Sequence, residues 1–144
     1  MNYQLHENES GSFQELIHGD EIDFGQLSYL TINPGYTRGE HYHKRKVEWF
    51  CCIKGSCSVE LKTIDGRIIC TRVLDGLTKD HISAYPGEVH SFTNILKSLP
   101  CELLIICSER YEINDPDTYK EEVNHESTNY TRHKTRDNTL IRSN

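Results

Sequence analysis

Apolar, β-prone runs of strand length recur at residues 27–32, 47–53, 57–64, 68–74, 82–85, 90–95 and 102–107, separated by short turns rich in Gly, Pro or Asp. Such spacing predicts an all-β sandwich or barrel, because antiparallel strands need little chain to fold back on one another. Asp65-Gly66 lies between CSVELKTI and RIICTRVL. Asp-Gly readily supplies the positive φ angles of a type I′ turn, so a two-residue hairpin is predicted there. A short helix is expected only near residues 118–123, behind the polar, Pro-rich entrance Asp115-Pro116-Asp117. At 144 residues the chain has the size of one domain with one core. Residues 124–144 are polar and partly basic with almost no apolar side chains, which sets a domain at 1–123 and a loosely docked or disordered tail behind it.

The formal charge of -6 argues against a nucleic-acid backbone or an anionic lipid surface as partner, since both would repel the chain as a whole. No apolar run reaches the roughly 20 residues that span a bilayer, and MNYQLHENESGS lacks the basic and apolar regions of a signal peptide. A cytoplasmic location is the expectation. The six cysteines form no CxxC pair and lie mostly in apolar runs, so they are read as free, buried thiols. The eight histidines carry more chemical information.

His41 and His43 are two apart, so on an extended strand they project from one face and can close on one ion. Lys44, Arg45 and Lys46 are polar enough to turn, after which a strand carries Glu48, Phe50 and Cys52 on its inner face. His90 follows a Pro86-Gly87 turn at the start of another strand, and a barrel can bring it to the other three. Three imidazoles and a carboxylate suit zinc first, with iron, manganese or nickel as alternatives. Magnesium and calcium prefer all-oxygen shells. Such an ion could be catalytic or could simply staple the barrel.

Gly35, His41-x-His43, Glu48 and Gly55 resemble the first cupin motif, and Gly87-x-x-His90-x-x-x-Asn94 resembles the end of the second. Pro86 abuts Gly87, where the motif places it two residues earlier. The resemblance implies a double-stranded β-helix, a small jelly-roll barrel, with the metal inside its mouth. A narrower likeness runs over residues 10–123. Gly11-Ser12-Phe13-Gln14-Glu15-Leu16, Pro34-Gly35-Tyr36-Thr37-Arg38-Gly39-Glu40-His41-Tyr42-His43, Lys46-Val47-Glu48-Trp49-Phe50, Pro86 to Asn94 and Asn114-Asp115-Pro116-Asp117-Thr118-Tyr119 are similar to the C-terminal cupin domain of the capsular polysaccharide assembling proteins.

That resemblance implies a metal-dependent epimerase acting at C3 of a UDP-linked 4-keto-6-deoxy-N-acetylhexosamine, in surface-polysaccharide or glycan synthesis. In the family a reductase domain accompanies the cupin. No GxGxxG fingerprint occurs here, so reduction is expected from a separate protein. Inversion next to a ketone needs an enolate, a cation to stabilise its charge, and groups that carry the proton. Lys46, Tyr85 and His41 are the catalytic candidates. Arg38, suited to a pyrophosphate, is grouped with Tyr42 and Glu88 as substrate-binding candidates. Phe13, Trp49, Phe50 and Phe92 are read as core or interface aromatics. Residues 12–17 could lend a strand to a neighbouring barrel, giving a homodimer. Competing readings are a 3,4-ketoisomerase, an iron(II) dioxygenase, and a non-catalytic sugar-binding subunit beside a separate reductase.

Overall fold

Along residues 56–63 every second side chain is buried: Cys57, Val59 and Leu61 point inward while their neighbours face out, the period-two signature of a half-buried strand. The same logic builds the whole domain. The computed structural model describes residues 4–121, which form β1 (Leu5–Asn8), β2 (Gly11–Gln14), β3 (Gln26–Ile32), β4 (Thr37–Tyr42), β5 (Glu48–Lys54), β6 (Ser56–Thr63), β7 (Ile68–Asp75), β8 (His81–Ala84), β9 (Glu88–Asn94), β10 (Cys101–Cys107) and β11 (Tyr119–Lys120). One sheet has the order β3-β10-β5-β8 and the other β11-β4-β9-β6-β7. All strand pairs are antiparallel. The two sheets enclose a core that includes Ile32, Phe50, Val59, Leu61, Leu74, Phe92 and Leu103. Phe50 and Phe92 meet at its centre with ring centroids 4.5 Å apart.

Three expectations change in the structure. The hairpin between β6 and β7 is not a two-residue turn. Gly66 N–H donates to Thr63 C=O and Thr63 N–H to Arg67 C=O. Only Gly66 there has a positive φ, of 86°, so Asp65 stays in the ordinary region and the loop is a type I turn closed by a left-handed glycine. Asp65 instead accepts a hydrogen bond from the Thr63 hydroxyl. Secondly, the helix near 118–123 is absent as far as the described residues reach: Tyr119 and Lys120 are strand and pair with Tyr42 and His41. Asp117 does not cap a helix, because its carboxylate accepts hydrogen bonds from the backbone N–H groups of Lys44, Arg45 and Lys46. Thirdly, the strand expected over 12–17 is shorter and is paired within its own hairpin, β1 with β2. Phe13 on it is exposed, whereas Trp49, Phe50 and Phe92 are buried. The tail 124–144 and the boundary at 123 lie outside the described residues.

Candidate metal centre

β4 and β9 run side by side, and a bulge between them aims the first histidine. Gly39 pairs with Ser91 and His41 with His90, leaving Glu40 as the extra residue with φ 60°. Gly39 itself has φ 95°, and a Cβ there would lie 2.6 Å from the His90 carbonyl oxygen, so only glycine allows this approach. His43 follows the end of β4, where its carbonyl accepts from Gly87 N–H at 2.7 Å and so ties it to the Pro86-Gly87 turn before His90. Glu48 opens β5 on the inner face, opposite Cys107. The ligand atoms offered by His41, His43, Glu48 and His90 all lie within 4.8 Å of one another.

Hydrogen bonds on the outer side of these rings set which nitrogens face inward. His43 Nδ1 lies 2.5 Å from the Asp117 carbonyl oxygen, so it donates there and leaves Nε2 as the lone-pair nitrogen. His41 Nδ1 is likewise 3.1 Å from the Gly39 carbonyl. Glu48 Oε2 lies 3.1 Å from His43 Nε2 and 3.2 Å from His90 Nε2. Cys107 Sγ–H donates to the other carboxylate oxygen, Oε1, at 3.1 Å. His43 Nε2 is buried with no well-aligned hydrogen-bond partner. An acceptor nitrogen left in that state, beside two further imidazoles and a carboxylate, fits a borderline divalent cation such as zinc.

The electrostatics of His41 and Glu48 agree with that fit, while the Glu48 carboxylate favours a proton on His43 when no cation is bound. Burial lowers the His41 pKa to about 4, and the neighbouring His90 and His43 rings push the same way, so this imidazole stays neutral at pH 7. Burial opposes ionisation of Glu48, but the adjacent His43 and His90 outweigh it and hold the carboxyl well below its usual range. For His43, too, burial is the largest influence and lowers the pKa; the Glu48 carboxylate overrides it and the net shift is upward.

The remaining candidates separate. Lys46, only 4% exposed, lines a cavity of about 150 Å³ together with His41, His43 and Glu48. Its Nζ donates to Pro116 C=O at 2.8 Å. Arg38 lines a second cavity of about 190 Å³ that also reaches His41, Glu48 and His90. Tyr42 turns to Tyr119, their rings stacked with centroids 5.4 Å apart. Tyr85, 57% exposed, lines a separate hollow with Arg45 and Glu109. Glu88 accepts from Tyr85 N–H at 2.9 Å and so serves the Pro86-Gly87 turn. Sequence reasoning passed over Asp117, Cys107 and Tyr111, which lines the Lys46 cavity. Asp117 sits in the quoted Asn114–Tyr119 motif, the one signal that could have drawn attention to it.

Similar proteins place this geometry in context. A family model described as the polysaccharide biosynthesis C-terminal domain matches residues 6–119. A curated relative from Pseudomonas aeruginosa, named UDP-2-acetamido-2,6-beta-L-arabino-hexul-4-ose reductase, is 33% identical over 118 residues, covering 80% of this chain and 30% of its own length. The crystal structure of the capsular polysaccharide assembling protein CapF from Staphylococcus aureus is 26% identical with a TM-score of 0.65, over 85% of this chain and 35% of that one. The chain thus spans about a third of these longer relatives. QdtA, a sugar 3,4-ketoisomerase from Thermoanaerobacterium thermosaccharolyticum crystallised with TDP, shares the fold at 21% identity and TM-score 0.67, over 82% of this chain and 83% of its own. Among the described residues no helix is long and apolar enough to cross a membrane. Matched over most of its length, the chain belongs to the polysaccharide biosynthesis C-terminal domain family and is built as a cupin double-stranded β-helix.

Proposed function

We propose that this protein is a metal-dependent nucleotide-sugar epimerase acting at C3 of a UDP-linked 4-keto-6-deoxy-N-acetylhexosamine. The observation that carries the reading is the convergence of His41, His43, Glu48 and His90 beside a cavity walled by buried Lys46. The substrate class is supported by the relative from P. aeruginosa, whose name specifies a UDP-linked 4-keto sugar. Homodimer formation, a separate reductase as pathway partner and a cytoplasmic location belong to the same proposal.

His41, His43, Glu48 and His90 would hold the cation, zinc first and iron, manganese or nickel as alternatives. Bound there, it supplies Lewis-acid stabilisation for negative charge developing on the C4 carbonyl oxygen. The chain's own residues do the rest. Lys46 Nζ is anchored by Pro116 C=O beside the ligand set and is assigned the removal of the C3 proton. Tyr111, whose ring centroid lies 5.5 Å from that nitrogen, is assigned the return of a proton. Arg38, at the second cavity, is assigned to the pyrophosphate.

Solvent deuterium exchange followed by NMR on the UDP-linked 4-keto sugar tests this. Metal-dependent deuterium at C3, lost on chelation and in Lys46→Ala, is expected. Tyr111→Phe should keep exchange but lose the inverted product. A folded, metal-loaded protein that exchanges no C3 proton would remove the epimerase reading. Exchange that ends in a 3-keto product would instead assign a ketoisomerase.

A further inference from the structure

We infer that Asp117 is a positioning residue for the metal ligand His43, and that residues 115–120 form a strap holding the ligand loop in its binding geometry. The inference rests on the metal reading above and adds an element to it from a distant part of the chain.

The contacts are dense and directional. Asp117 is 1% exposed, and its backbone has φ 46°, a left-handed conformation that Asp and Asn tolerate better than most residues. Its carboxylate accepts from three successive amides: Lys44 N–H to Oδ1 at 3.0 Å, Arg45 N–H to Oδ2 at 3.0 Å and Lys46 N–H to Oδ2 at 3.1 Å. These amides belong to the loop that joins His43 to Glu48. The carbonyl of the same residue receives His43 Nδ1–H. One residue therefore orients the imidazole, selects the tautomer that presents Nε2, and sets the path of the chain between two ligands.

Neighbouring residues reinforce the clasp. Pro116 C=O accepts from Lys46 Nζ. Arg45 Nη2 lies 3.0 Å from Asp115 Oδ2, and Lys44 Nζ sits 4.2 Å from the centre of the Tyr119 ring. Tyr119 and Lys120 add a strand to β4 at Tyr42 and His41. Three side chains of the loop thus each have a partner on the strap. A purely structural clasp would not need to reach the ring of a ligand.

The test uses the full chain with Co(II) as probe, whose visible bands report ligand number and geometry. Wild-type protein should bind Co(II), and Asp117→Ala, which keeps the carbonyl facing His43 but removes the carboxylate that fixes the loop and with it that carbonyl's placement, should bind it roughly 10- to 100-fold more weakly. Asp117→Asn, which keeps one acceptor oxygen, should recover part of that loss. Far-UV circular dichroism and apo melting are recorded for each. A folded Asp117→Ala with unchanged Co(II) affinity and bands overturns the strap while leaving the metal site standing. Wild-type protein that binds no Co(II) overturns both. Long-range ¹⁵N–¹H NMR on wild-type imidazoles covers the case in which the alanine variant does not fold: His43 protonated at Nδ1 in the loaded protein supports the inference, and protonation at Nε2 overturns it.

Discussion

The barrel holds metal-capable side chains at both ends, the His41/His43/Glu48/His90 quartet and the thiols of Cys52, Cys57 and Cys101, and in each group the donor atoms lie within 4.8 Å of one another. The strands show that the groups sit at opposite ends: Cys107, at the end of β10, pairs with Glu48, whereas Cys101 begins the same strand. Phe50 and Phe92 lie between them. What differs is the frame around the donors. Two imidazoles of the quartet have their outer nitrogens committed to backbone carbonyls, and the cavities beside the site include a buried lysine and an arginine. The thiols have no exposure, and Cys52 and Cys101 contact each other at 3.7 Å. Contact with neighbouring thiols together with burial raises the pKa of Cys52 and Cys57, so these two remain protonated, while their hydrogen bonds lower that of Cys101. A cation there would require ionised thiolates inside an apolar core, at a large desolvation cost. Proximity of donors is common to both ends; a hydrogen-bonded frame around lone-pair nitrogens belongs to one.

The largest test of that contrast is His90→Ala. It should abolish retention of the divalent ion and C3 exchange together while the barrel still folds. A full equivalent of metal after dialysis, measured by mass spectrometry, would break the assignment of the quartet. Next comes Phe50→Ala, which cuts the aromatic packing between the two ends, since Phe50 lies 5.2 Å from the His90 ring and 4.5 Å from Phe92. Chemical denaturation should show a loss of about 3–5 kcal/mol. Cys52→Ser should cost about 1–3 kcal/mol, because a more strongly polar hydroxyl replaces a core thiol, and leave the metal content unchanged. Thiolate-to-cobalt charge-transfer bands in the wild-type protein would overturn the packing role of that cluster.

The smallest expected effect is the pH dependence of the metal-free protein. His41 has a folded pKa of about 4 against an ordinary 6.5, so the unfolded chain takes up its proton first as pH falls. Stability from this group is intact above about pH 6.5 and declines towards pH 4. Glu48, also depressed, extends the decline to more acidic solution. His43 is raised and opposes them: its contribution is present below 6.5 and disappears as pH rises through the folded value. The net loss between pH 6.5 and 4 should be on the order of 1 kcal/mol once solvent screening of the half-buried His41 is allowed for. Urea titrations at both pH values measure it, and greater stability at the acidic end would show that His43 dominates.

Much of the barrel was legible because burial alternates along its strands. The runs at 57–64 and 68–74 appear as β6 and β7 within a residue of their predicted ends. β11 escaped notice because a two-residue strand has no period to detect. The turn at Asp65-Gly66 was located correctly but given the wrong type. Dipeptide preference allows both residues a positive φ, while the Thr63 side chain and the β6–β7 register select the longer loop. The helix near 118 failed for a related reason: a polar Asp-Pro-Asp entrance is compatible with a helix cap, and here it caps a loop some seventy residues earlier.

By itself the sequence determined the all-β class and nominated His41, His43, Glu48 and His90, because residue type and local spacing state both the strand period and the donor chemistry. Only the tertiary structure decided which nitrogens face inward, that Cys107 steadies Glu48, that Tyr111 and not Tyr85 or Tyr42 lines the Lys46 cavity, and that three cysteines gather at the far end. The physical reason is distance along the chain. A strand's alternation is written in adjacent residues, whereas the bond from His43 to Asp117 joins positions 74 apart and exists only when the sheets have closed.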